Sequence, residues 1–231
     1  LGTGEHYVRS GTGLYRSTNS GVSWTKIDLS TEPSGFYKMR FINNSTVNVG
    51  AATSAGYYRS TNTGLNWTKT LNGVVTDFAV NPSNSQIIFA GVRNDGVYKS
   101  TNNGLNWVKI VAPGMPTTNI GRIALSIGTT VTSKIAACIV RLDNDHTHGV
   151  YLSIDDGATW TNKPPPENIH GNQGWYDNVV SIAPTNANVI FAGGVHMWKT
   201  TNFGYSWTEI TDDNLHADQH VIEWNENGST M

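Results

Sequence analysis

Apolar and polar residues alternate in short runs along the chain, and the runs are broken by clusters rich in Asn, Asp and Gly. Alternation puts successive side chains on opposite faces, the signature of half-buried strands. Residues 77–110 set the pattern. DFAVNP, QIIFAGV, GVYKST and NWVKI read as four strands, A to D, separated by Asn-Pro, Arg-Asn-Asp-Gly and Asn-Asn-Gly turns. The order recurs in FYKMRF, TVNVGAA, GYYRS, NWTKT, then in IGRIALSI, KIAACIV, GVYLS, TWTNK, and again in NVVSIAP, VIFAGG, HMWKT, SWTEI. The chain opens inside a strand B with LGTGEHYV, continues to GLYRS and SWTKI, and its last run, HVIEWN, is a strand A alone. No window carries helical periodicity.

One phrase recurs at each junction of strands C and D: GLYRSTNSGVSW, GYYRSTNTGLNW, GVYKSTNNGLNW, GVYLSIDDGATW and HMWKTTNFGYSW. Its tryptophans stand 43, 40, 53 and 47 residues apart, the length of a four-stranded propeller blade. The predicted fold is therefore an all-β propeller of four-stranded antiparallel blades, one domain over 1–231. Its five blades cover about 36–71, 77–111, 119–163, 178–211, and 1–29 joined by 219–226. The last strand A complements a first unit that lacks one, so the ring closes at five blades or the chain is a slice of a larger ring.

The phrase fits S-x-[D/N]-x-G-x-x-W, which resembles the Asp-box, or bacterial neuraminidase repeat, of sialidases, xyloglucanase-type hydrolases, sortilin-type receptors and a photosystem assembly factor. The matching residues are Ser17, Asn19, Gly21 and Trp24; Ser60, Asn62, Gly64 and Trp67; Ser100, Asn102, Gly104 and Trp107; Ser153, Asp155, Gly157 and Trp160; and Thr200, Asn202, Gly204 and Trp207. Short side-chain oxygens there accept hydrogen bonds from the turn backbone, the glycines supply positive φ, and each tryptophan packs between sheets. The box is thus a turn staple. It lies on the face opposite the D-to-A and B-to-C loops, and function belongs with those loops.

Composition narrows the partners. Charged residues are 14% of the 231, and the net charge of −2 offers no basic field, so nucleic acid is not expected. No apolar run reaches the ~20 residues of a membrane-spanning helix. The single cysteine, Cys138, sits in the apolar run KIAACIV and reads as a small buried hydrophobe. A first residue other than Met, and a chain rich in Asn, Thr, Ser, Gly and Trp, suggest a secreted or cell-surface protein that is part of a larger polypeptide.

Two D-to-A connections break the repeat: PPPENIHGNQGWYDN, 164–178, and TDDNLHADQH, 211–220. Each leads into an innermost strand, which places them side by side at the axis. His170, Gln173, Trp175, Tyr176, His216 and His220 are the expected ligand contacts, with Trp175 and Tyr176 either a stacking platform for a sugar ring or a plug of the funnel. Alternation in an extended His216-Ala-Asp218-Gln-His220 points two imidazoles and a carboxylate to one side, a candidate divalent metal site; no cofactor is otherwise required. Weaker candidates on that face are Asp143, Asp145, His146 and His148 in a B-to-C loop, and Glu5, His6 and Arg9.

Two functions fit. The first is a recognition module for a glycan or an extracellular protein, needing only a rigid ring and an aromatic, polar mouth. The second is a glycoside hydrolase using Asp177 and Asp218 as its carboxyl pair. Sialidase chemistry is disfavoured, because Arg122-Ile123-Ala124 is a poor echo of the Arg-Ile-Pro segment of that family.

Overall fold

The computed structural model describes residues 2–3, 13–42, 45–211, 216–225 and 228, the first two by backbone alone. Glu5, His6 and Arg9 lie outside the described residues, as do 212–215 and 226. Among the described residues every regular element is a strand. The first sheet holds β1 (Gly2–Thr3), β2 (Leu14–Arg16) and β3 (Thr25–Ile27). The second runs β4 (Phe36–Phe41), β5 (Val49–Thr53), β6 (Gly56–Ser60) and β7 (Thr68–Leu71), and the third β8 (Val75–Val80), β9 (Ile88–Val92), β10 (Gly96–Ser100) and β11 (Val108–Lys109). The fourth has β12 (Ile120–Ile127), β13 (Ile135–Arg141), β14 (Thr147–Ser153) and β15 (Thr161–Asn162), and the fifth β16 (Val179–Ile182), β17 (Ile190–Gly193), β18 (Met197–Thr200) and β19 (Thr208–Glu209). Each sheet is a simple antiparallel meander.

The sheets stack face to face, because alternate residues of each inner strand are apolar on both sides. Four clusters of buried side chains result, one between each consecutive pair. Leu14 and Ile27 meet Phe36, Ala51 and Tyr58; Ala52 and Tyr57 meet Phe78, Ile88 and Ala90. Phe89 and Val97 meet Ile123, Ile139 and Tyr151; Cys138, Val150 and Leu152 meet Val180, Ile190 and Trp198. Tyr57 and Phe78 touch edge to face at 5.2 Å, and each buried aromatic adds about 1.5–3 kcal/mol by leaving water.

The repeated turn is the same object five times. The Ser or Thr hydroxyl accepts from the Gly amide four residues on, at 2.9 Å in four turns and 3.0 Å at Gly204. The Asn or Asp side chain accepts from the residue before the tryptophan, at 2.9 Å throughout. Asp155 and the four asparagines therefore do the same work, since only an acceptor oxygen is needed. Two consecutive left-handed residues close each turn: the glycine, and before it Ser20, Thr63, Asn103, Asp156 or Phe203, at φ near +57°. Four of the five turns also reach the A-to-B turn of their own sheet, as when Asn103 N–H donates to Gln86 O at 3.0 Å. The tryptophan packs on the preceding sheet: Trp67, Trp107, Trp160 and Trp207 join the four clusters in turn. Trp24 is 47% exposed.

Inner strands of neighbouring sheets do not form ladders with one another, and side chains satisfy their edges instead. Thr76 Oγ1 donates to Ile123 O (2.9 Å) and accepts from Ile123 N–H (3.0 Å). Asp77 Oδ2 accepts from Leu125 N–H at 2.7 Å, and Ser126 Oγ from Ile182 N–H at 2.9 Å. Irregularities at Phe36/Lys38, Val75/Asp77 and Ile120/Ile123 mark the start of three inner strands and turn Asp77 and Arg122 toward the axis.

Among the described residues the first sheet has three strands, and residues 216–225, read as part of its closing strand, form no ladder. The segment lies on the far face of the fifth sheet and lines the cavity beside the inner strands. Trp224 donates from Nε1 to Ser181 Oγ (2.8 Å) and packs edge-on against Phe191, while Gln219 N–H donates to Gly194 O at 2.7 Å.

Candidate recognition site at the loop face

The loop of residues 163–178 is pinned to the B-to-C turn of the fourth sheet. Gly174 N–H donates to Asp145 O (3.1 Å), and Thr147 Oγ1 bonds Asn168 Oδ1 (3.0 Å) and His170 Nδ1 (2.8 Å). Bonds to Gln173 O from Tyr176 N–H (2.7 Å) and Asp177 N–H (3.0 Å) coil residues 173–177 into a tight turn. That turn sends Asp177 inward and Trp175 outward.

His170 was an expected ligand contact, but its relative exposure is 0%. Thr147 takes one ring nitrogen, and Asn178 Oδ1 (3.2 Å) takes the other. Burial lowers its pKa to about 4, so it is a neutral pillar beneath the loop with no surface to offer a ligand.

Gln173, Trp175, Tyr176, Asp218 and His220 do come together. Trp175 is 56% exposed and leans on Tyr176 (ring centroids 5.3 Å), and Tyr176 meets His220 edge to face at 4.3 Å. Arg122 fixes this row from below, donating Nη1 to the carbonyl of Tyr176 and to that of Trp175 (3.3 Å). Burial pulls the Arg122 pKa down, while Asp77, Tyr37 and Asp177 oppose the shift.

Asp177 and Asp218, predicted as a pair, face one another. Gln173 Nε2 donates to Asp218 Oδ1 at 3.3 Å and ties the two loops. Asp177 is fully buried, and among the described residues neither of its oxygens has a hydrogen-bond partner. Its pKa rises to about 7, first through desolvation, with the Asp218 carboxyl adding to it and Arg122 opposing.

The predicted metal trio is corrected. Among the described residues no three His, Cys, Asp or Glu side chains converge as a ligand set. Asp218 is left-handed (φ +71°), so the segment is not extended and alternation fails. His216 is exposed, with Nδ1 at 2.6 Å from Ala217 O. Asp143 pairs with Arg141 at 2.9 Å, and His148 Nδ1 bonds the Tyr151 hydroxyl at 2.8 Å.

Behind the mouth, a cavity of about 940 Å³ runs between the inner strands β4, β8, β12 and β16 and residues 220–224. Its walls include Tyr37, Arg40, Phe41 and Arg122, and the Lys38–Asp77 ion pair at 2.6 Å.

No family model matches the chain, and no curated protein matches it. Solved structures do. A GH74 enzyme of Niastella koreensis superposes with a TM-score of 0.66 at 22% identity, over 89% of this chain and 35% of that one. The GH74 xyloglucanase of Xanthomonas campestris gives 0.67 at 14% identity, over 90% and 36%. Both share the radial stack of four-stranded sheets described above. This chain is a β-propeller. YCF48 bound to D1 peptide is a third propeller neighbour, with a TM-score of 0.50 at 16% identity over 87% of this chain and 61% of that one. The propeller described here spans about a third of the length of the GH74 enzymes it matches.

Two residues of the propeller's mouth escaped the sequence. Arg122 was weighed only as a fragment of a sialidase motif, although it is the one charge in the long apolar strand IGRIALSI. Asn178, buried, bonds Arg122 O (3.2 Å), Cys138 O (3.1 Å) and His170, with no spacing that announces it.

Proposed function

We propose that the chain is a glycan-recognition propeller of the Asp-box type, belonging to a larger secreted polypeptide. Its ligand sits at the face formed by the D-to-A and B-to-C loops. The observation that carries this reading is Trp175: a large aromatic, more than half exposed, on a backbone clamped by Arg122. A rigid platform of this kind binds a sugar ring at little ordering cost. Gln173, Asp218, His216 and His220 supply the polar rim. The xyloglucanase neighbour lends the fold a carbohydrate-active precedent; the peptide-bound neighbour makes an extended peptide the competing ligand.

A glycosidase remains the second reading, favoured by the raised pKa of Asp177, as a general acid requires. Against it, Asp177 is fully buried and has no face open to a glycosidic oxygen. Trp175→Ala should weaken retention on a panel of immobilised β-glucans and glucosamine polymers, by about tenfold or more in affinity. Turnover of a chromogenic glycoside, lost in Asp218→Asn, would replace this reading with the enzymatic one.

A further inference from the structure

Asp177 and Asp218 meet at the mouth with no cation hydrogen-bonded to Asp177. Lys38 pairs with Asp77, while Arg122 hydrogen-bonds two backbone carbonyls and acts on Asp177 through its charge alone. Asp177 is left fully buried without a partner for either oxygen, turned toward Asp218. An unpartnered buried carboxyl is costly, and a cation held at the neighbouring Asp218 would offset the cost. A metal ion needs a third protein ligand, which is lacking among the described residues. An ammonium does not: a carboxylate acceptor, a second carboxyl behind it and the face of an aromatic ring satisfy it.

Resting on the glycan reading above, we propose that this mouth selects amino sugars, with the protonated 2-amino group of a glucosamine unit seated on Asp218, the buried Asp177 carboxyl behind it, while a ring of the oligomer stacks on Trp175. The entry point is Asp218, which is partly exposed and accepts a 3.3 Å bond from Gln173. The ammonium displaces the Gln173 amide, a weaker donor than a charged one. Acetylation of the amine removes the charge and adds bulk at this point, so the same sugar becomes a poor ligand.

The test is calorimetric titration of the whole chain with three tetramers: fully deacetylated chito-tetraose, N-acetylated chito-tetraose and cellotetraose. The deacetylated tetramer should bind at least about tenfold more tightly than the other two, and Asp218→Asn should lower its affinity by a similar factor. Asp177→Asn, which removes the buried carboxyl without changing shape, should also weaken it. Thermal unfolding confirms that both variants are folded. Equal binding of the acetylated or neutral tetramer overturns amine selection and leaves glycan recognition standing. Amine binding untouched by either substitution overturns the site. Failure of all three tetramers to bind the folded protein overturns both readings.

Discussion

Asp177 shows how a single buried carboxyl reports on its surroundings. Its folded pKa, about 7, lies above the ordinary carboxylate value, so the folded state holds a proton that the unfolded state releases between about pH 4 and 7. Its contribution is therefore favourable at the acid end and is lost as pH rises through 7. Asp177→Asn keeps the neutral form at every pH. It should stabilise the protein at pH 8 by about 2–4 kcal/mol and much less at pH 5, read as a difference in denaturation midpoints between variant and parent. His170 runs the other way: its pKa of about 4 costs the folded state stability as pH falls below the ordinary histidine value. The sequence placed Asp177 and Asp218 together because both precede innermost strands. It misjudged His170, because a one-dimensional pattern marks polar type and position but not which way a tight turn faces.

At the scale of the element, the turns were the most legible part of the chain. Ser, Asn or Asp, Gly and Trp at fixed spacing dictate a hydrogen-bonding loop, and each is found in that role. Less legible was the second left-handed residue, which is Ser, Thr, Asn, Asp or Phe and leaves no common trace. The glycines themselves are not equivalent. A Cβ on Gly104 would lie 2.9 Å from Tyr57 Cε1 and 3.2 Å from Trp107, whereas one on Gly21 meets only Trp24, at 3.7 Å. Both carry positive φ, +74° and +87°. Gly104→Ala should thus cost about 1–3 kcal/mol more than Gly21→Ala in urea denaturation, since strain is shared but overpacking is not. The extended reading of 216–220 failed for the converse reason. Alternation was assumed there from five residues, and one left-handed aspartate defeats it.

For the molecule as a whole, the order of strands within each sheet followed from the repeat. HVIEWN has the pattern of an inner strand, and its Trp224 packs on Ser181 and Phe191 of the fifth sheet through side chains alone. Contacts between sheets are of two kinds, broad apolar faces and a few polar clasps near the axis. Thr76 is the clearest clasp, with two bonds to Ile123 inside a buried layer. Thr76→Val, close in shape, should cost about 1–3 kcal/mol and selectively speed amide hydrogen exchange at Ile123. Because no ladder crosses from one sheet to the next, a whole unit can be inserted or removed without shifting the register of any other. Such a chain evolves by duplication of one hinged page at a time, and its circumference is a matter of copy number, with each new page bringing its own staple and its own pair of loops to the functional rim.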